Sequence, residues 1–175
     1  PVQSGSDFIL TKMKRKHTVL EYKSMIEKVR DVRSEISITS DFIIGYPGET
    51  DDHFQETIDL IEHVGFDDGY SFIYSKRPGT PASFEEDKIS MNTKKRRLSK
   101  VQNLITKNSE RYLSSLVGTS QEILVEGICK SNDNFVFGRT NTNKIVNVKA
   151  SKNILGQFIN VYIQNSNRAS LDGVQ

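Results

Sequence analysis

Read for its apolar positions, the chain divides into two patterns. Up to about residue 117, apolar residues recur at helical spacing or gather in short β-branched runs between polar loops. Beyond that point they alternate in brief stretches broken by Asn, Ser and Gly. The opening Pro1-Val2-Gln3-Ser4-Gly5-Ser6-Asp7 reads as a strand end and a turn, as expected of a chain cut within a domain. Asp7 is placed to cap a short helix over 8–14. Thr18 and Glu21 have capping-box spacing and open a second helix, whose Tyr22, Met25, Ile26, Val29 and Arg33 fall on one face, with Arg33 lying across its edge. Residues 36–44 read as a buried parallel strand. Gly45 to Thr50 turn the chain, and Thr50 caps a helix with Phe54, Ile58, Ile61 and Val64 as its inner stripe, stopped by Gly65. A strand over 69–75 leads through the rigid turn 76–81 to a long helix over 90–116, with Leu98, Val101, Ile105, Tyr112 and Leu116 inward. This alternation of strand and helix predicts right-handed crossovers and a parallel sheet.

After residue 117, runs at 121–125, 135–139, 145–148, 158–163 and 169–174 predict five short strands in a closed, antiparallel, OB-like barrel. Two domains are therefore expected, 1–117 and 118–175. Composition adds little to this division. The net charge of +2 lies in the second part, which has six Lys+Arg against four Asp+Glu, so nucleic-acid affinity would have to come from a local patch and not from bulk charge. One cysteine, Cys129, excludes an internal disulfide or a cysteine-held cluster built by these residues alone. With no membrane-length apolar run, a cytosolic protein is the default expectation.

In a parallel α/β array, ligands sit where strands lead into helices. Three loops here carry chemistry. The first holds Gln3, Ser4 and Ser6, followed by Arg15, whose planar fork suits a carboxylate. Its plainer reading is a solvated helix start. In the second, Asp41 interrupts an apolar strand, where an unpaired carboxylate is costly and a hydroxyl or ammonium would satisfy it. Gly45, Pro47 and Gly48 follow, and the glycines allow close backbone approach with free N–H groups. A tight turn, with Glu49 favouring the helix start, accounts for them as well. The third carries Tyr74, suited to stacking on a purine or to ending a core strand, and Arg77, suited to a phosphate or base. His17, His53 and His63 lack partners at metal-ligand spacing.

Taken together, residues 1–7, Met13-Lys14-Arg15, His17-Thr18, 41–50 and 74–82 resemble the second half of the catalytic domain of radical-SAM methylthiotransferases. The Arg-Pro-Gly-Thr-Pro form of 77–81 resembles the branch acting on tRNA more than the branch acting on a ribosomal protein. The segment after 117 resembles a TRAM domain, a small RNA-holding β-barrel. The resemblance implies half of a TIM-like radical-SAM barrel followed by an all-β TRAM barrel. It implies S-adenosylmethionine and two [4Fe-4S] clusters as cofactors. The family's chemistry reduces S-adenosylmethionine to a 5′-deoxyadenosyl radical that starts methylthiolation at C2 of N6-dimethylallyladenosine beside the anticodon. By the same resemblance, Gln3, Ser4, Ser6 and Asp41 contact the cofactor and Arg15 takes its carboxylate. Gly45, Pro47 and Gly48 wall the methionine pocket, and the backbone near Tyr74 lies beside adenine.

The family's Cys-x-x-x-Cys-x-x-Cys loop has no counterpart in these residues, so the chain alone is expected to be inactive. Arg139, Lys144, Lys149 and Lys152 are the candidates for RNA-backbone contact in the second domain, with Arg77 in the first. Phe135 and Phe137 suit stacking or core, the core being the commoner use of alternating Phe. Lys94, Lys95, Arg96 and Arg97 read as a solvated helix face. The expected partner is a tRNA anticodon stem-loop, with no membrane. Two open edges of a half-barrel would also favour dimerisation. A stand-alone RNA-binding module and a methylthiotransferase for threonylcarbamoyladenosine are the competing functions.

Overall fold

A computed structural model describes residues 1–129 and 134–175. The chain forms two compact units, Pro1–Asn108 and Ser109–Gln175. Among the described residues no helix is long and apolar enough to cross a membrane.

The first unit is built on a parallel pair, β1 (Thr39–Ile44) and β2 (Asp68–Ile73), with Asp41 opposite Tyr70 and Ile43 opposite Phe72. The expected first strand is reduced to a single parallel bridge between Gln3 and Phe42. Gln3 N–H donates to the Asp41 carbonyl at 3.0 Å, and Ile43 N–H donates to the Gln3 carbonyl at 2.9 Å. Gln3 then turns away at φ 76°, which ends the pairing.

Helices α1 (Asp7–Lys12), α2 (Val19–Val32) and α3 (Asp51–Val64) begin and end largely as local signals dictate. Thr18 and Glu21 form the capping box on α2. Two hydrogen bonds from Thr18 hold the exposed Glu21 carboxyl below its ordinary value. Thr50 caps α3 reciprocally with His53, and Gly65 closes it at φ 60°. Asp7 departs from expectation. Helix α1 starts at an uncapped Ser6, and the Asp7 carboxylate instead accepts Val19 N–H at 2.7 Å, at the start of α2. Met25 lies exposed, not inward, because only Ile26 of its stripe meets the core fully, and Arg33, expected across the edge of that face, is exposed.

That core joins Val2, Phe42, Ile44, Ile58, Ile61, Phe66, Val101 and Ile105, with Phe42 edge-on to Phe66 at 5.3 Å. It seals one face of the sheet only. On the other, Tyr70 and Phe72 are 69% and 57% exposed, and Asp41 and Ile43 are half-buried. Residues 36–44 were expected to be buried on both sides. The helices cover a single side, which leaves Asp41 on an open face instead of inside apolar packing.

Helix α4 (Met91–Ser115) runs from the first unit into the second. In the second unit, β3 (Ser120–Ile128), β4 (Phe135–Thr140), β5 (Ile145–Lys149), β6 (Phe158–Ser166) and β7 (Leu171–Val174) close a barrel in the order β3-β4-β5-β7-β6. Its interior is filled by Ile123, Val125, Val136, Val146, Val148, Val161, Ile163 and Leu171, joined by Leu113 of α4. The barrel is not wholly antiparallel, because β5 and β7 run parallel. An odd number of strands cannot alternate direction around a closed ring, so one parallel junction is unavoidable.

Candidate functional site

On the open face of the first unit lies a cavity of about 560 Å³, lined among others by Gln3, Arg15, Asp41, Phe72, Tyr74 and Arg77. Asp41 enters from the middle of β1 and Gln3 from the segment bridged beside it. Arg15 comes from the turn after α1, where Lys14 takes a left-handed conformation at φ 57°. Gln3 and Lys14 are two of the three non-glycine residues with positive φ among those described, and both line this cavity. Such conformations store strain, which surrounding structure must hold in place.

Tyr74, just past β2, packs edge-on against Tyr46 at 4.9 Å, and the Tyr46 hydroxyl donates to the Lys12 carbonyl at 3.1 Å. Burial raises the Tyr46 hydroxyl pKa, with further contributions from Glu85 and Tyr74. The cavity therefore brings together a carboxylate, a guanidinium, a carboxamide and aromatic walls. That set can meet a ligand carrying charged groups of both signs and a flat ring.

Ser4, Ser6, Gly45, Pro47 and Gly48 do not line it. Ser4-Gly5-Ser6 seats the chain against α3. Gly5 N–H donates to Thr57 Oγ1 at 3.0 Å, Ser4 Oγ lies 3.4 Å from that same oxygen, and Ser6 N–H donates to Ser4 Oγ at 3.2 Å. A Cβ on Gly5 would fall 2.3 Å from the Glu56 carbonyl oxygen and 2.5 Å from Thr57 Cα. Backbone cannot yield as a side chain does, so Gly5→Ala is expected to cost about 1–3 kcal/mol in urea denaturation. A variant as stable as the parent would contradict this packing.

The Gly45–Glu49 turn is likewise filled from within the protein. Gly45 N–H, expected to be free, donates to Glu49 Oε2 at 2.9 Å, and the Lys94 stem lies 2.6 Å from where a Gly45 Cβ would be. The Pro47 carbonyl accepts from Lys12 Nζ at 3.1 Å, and that same ammonium lies beside Gly48 and pairs with Glu85.

Behind the turn is a buried ionic cluster that the sequence reading placed in solvent. Lys94 and Arg97 are 3% and 5% exposed, while Lys95 and Arg96 do face water. Arg97 Nη1 donates to Glu49 Oε2 at 2.6 Å and Nη2 donates to Asp51 Oδ1 at 2.8 Å, with the guanidinium over the Phe54 ring at 5.3 Å. Lys94 pairs with Asp87. Burial pushes the Glu49 carboxyl up from its usual range, outweighing the Gly45 amide and Arg97. Arg97 holds the exposed Asp51 carboxyl down. The three-residue spacing of Lys94 and Arg97, which puts both on one helix face, was the signal available in the sequence.

In the second unit, Arg139 is committed to Glu126 at 3.1 Å and to Asn143. Lys144 is 8% exposed, with its ammonium over the Tyr112 ring at 5.1 Å, so it is no open contact for a phosphate. Lys149 and Lys152 are exposed. Phe135 and Phe137 flank the core residue Val136 and point away from the interior, half-buried, contrary to the commoner use of alternating Phe. The same alternation on β6 leaves Phe158 and Tyr162 67% and 52% exposed, two aromatic side chains the sequence reading missed. Burial raises the Cys129 thiol, which lies 3.5 Å from Asn147 Oδ1. Among the described residues, no three His, Cys, Asp or Glu gather as a metal site.

Comparison with known proteins places the two units. Residues 1–61 match the Radical SAM superfamily, and residues 114–174 match the TRAM domain. Over 173 residues, 99% of this chain, it is 50% identical to proteins named tRNA-2-methylthio-N(6)-dimethylallyladenosine synthase from Francisella tularensis subsp. novicida (strain U112) and subsp. tularensis (strain WY96-3418). The chain spans 39% of the length of these relatives. Along one polypeptide, a stretch similar to the Radical SAM superfamily is thus followed by a stretch similar to the TRAM domain.

Proposed function

We propose that the chain is part of a radical-SAM tRNA methylthiotransferase, and that the cavity of the first unit is its S-adenosylmethionine site. The reading rests on Gln3, Arg15 and Asp41 facing one cavity from three separate stretches of sequence. Arg15 would hold the amino-acid carboxylate through its guanidinium fork. Asp41 would accept from the ammonium or a ribose hydroxyl, and Gln3 can donate and accept beside it. Phe72 and Tyr74 provide apolar wall for adenine.

When bound, S-adenosylmethionine and the family's [4Fe-4S] clusters supply the methyl group and the radical chemistry. The clusters find no thiolate set in these residues, whose single cysteine, Cys129, lies in the second unit. The chain alone would then bind and orient without turning over, with cluster ligands supplied by the remainder of a full-length enzyme. The substrate would be N6-dimethylallyladenosine in tRNA, as the relatives' name supports, and its place beside the anticodon is what the resemblance of the loops implies. The TRAM unit would hold the RNA, using the exposed Lys149 and Lys152.

Deleting residues 118–175 from the full-length enzyme is expected to weaken tRNA binding roughly tenfold or more, while S-adenosylmethionine cleavage persists. Fluorescence anisotropy and product chromatography measure the two effects. Unchanged tRNA affinity would remove the barrel from RNA recognition.

A further inference from the structure

The cavity rim carries more positive charge than one carboxylate needs. Lys14, Arg15 and Lys16 follow α1, and Lys76 and Arg77 follow β2. All five side chains are exposed. Lys14, Arg15 and Arg77 line the cavity directly, and the other two adjoin them in sequence. Asp41 is the one acid among the lining residues. Three cations elsewhere in this unit are engaged, Lys12 with Glu85, Lys94 with Asp87, and Arg97 with Glu49 and Asp51, while Lys95 and Arg96 face water away from the cavity lining. No ion pair engages any of these five side chains among the described residues. Unpaired like charges on two loops that both line one opening repel each other, and a polyanion lying across that opening relieves the repulsion.

We infer that Lys14 and Lys76, with Arg77, grip phosphates on either side of the target nucleoside, so that the RNA strand crosses the cavity mouth and one base turns inward. The inference rests on the proposed function and assigns the catalytic unit its own RNA contact, separate from the TRAM barrel. An enzyme acting on a base edge must take that base out of its stack. Phosphate contacts flanking the extruded nucleotide fix its position without reading sequence.

The test uses full-length enzyme with its clusters, titrated with an anticodon stem-loop RNA over a series of salt concentrations. Lys14→Asn is the apt substitution, because Asn tolerates the left-handed backbone at that position; Lys76→Gln accompanies it. The double variant is expected to bind RNA roughly tenfold more weakly. Its slope of log affinity against log salt should shrink by about 0.7 for each lysine removed. S-adenosylmethionine affinity by calorimetry should stay within about twofold of the parent. Lys76→Arg, which keeps the charge, should restore the slope at that position. Parental RNA affinity and slope in the double variant would overturn the inference while leaving the proposed function standing. Loss of S-adenosylmethionine binding with RNA binding intact would also overturn it, assigning these cations to the cofactor. Failure of the parent enzyme to bind the stem-loop at all would sink the proposed function together with it.

Discussion

Arg97→Ala is expected to destabilise the first unit by about 3–5 kcal/mol, because it leaves a carboxylate buried without its counter-charge. Glu49 is 4% exposed, and its Oε2 holds both the Arg97 guanidinium and the Gly45 amide. The side chain also packs over Phe54, so the truncation removes contact area along with charge. The effect should depend on pH with a definite sign. Burial raises the Glu49 carboxyl above its ordinary 4.5, and losing Arg97 removes an influence that lowers it. Between 4.5 and the raised folded value, the native state binds more protons than the unfolded chain, so stability falls as pH rises through that window. The variant's deficit should therefore be larger at pH near 7 than near 5. Asp51 loses in the variant the Arg97 contacts that lower it, but it is exposed and its ordinary 3.8 lies below both pH values, so it does not blur the comparison. Urea denaturation at the two pH values measures this. An equal deficit at both would mean that Glu49 does not carry the cost.

What could be read in the sequence was whatever its near neighbours decide. The caps at Thr18 and Thr50, the stop at Gly65 and the five barrel strands follow from residues a few positions apart, and all appear as expected. Asp7 was misplaced because two helix starts competed for one carboxylate, and the α2 start at Val19 is where it bonds. The Glu49–Arg97 pair joins residues 48 apart, a separation at which a run of four basic residues looks like any solvated helix face. Lys144 looked free for a similar reason, since Tyr112 lies on an element that only the fold brings beside it.

The cavity divides in the same way. Gln3, Arg15 and Asp41 were singled out because an amide, a guanidinium and an ill-placed carboxylate stand out against apolar or turn-forming neighbours. Ser4, Ser6, Gly45, Pro47 and Gly48 fit a turn and a ligand loop equally well until the packing around them is seen. In the structure their free valences and empty spaces are taken up by Thr57, Glu49, Lys94 and Lys12.

The central claim is that the open-face cavity binds S-adenosylmethionine through Arg15 and Asp41. A charge-assisted hydrogen bond to a carboxylate is worth about 1.5–3 kcal/mol, which sets the scale for removing its donor. Arg15 is exposed at the cavity wall and, among the described residues, its hydrogen bond is that of its backbone N–H to the Leu10 carbonyl, so truncating its side chain should leave the fold intact. The most direct measurement is calorimetric titration of S-adenosylmethionine into the full-length enzyme and its Arg15→Ala variant, with iron content checked in both. The expected result is affinity lowered roughly tenfold to a hundredfold, with cluster content unchanged. Equal affinity in the two proteins would contradict the assignment and leave the cavity without the ligand proposed for it.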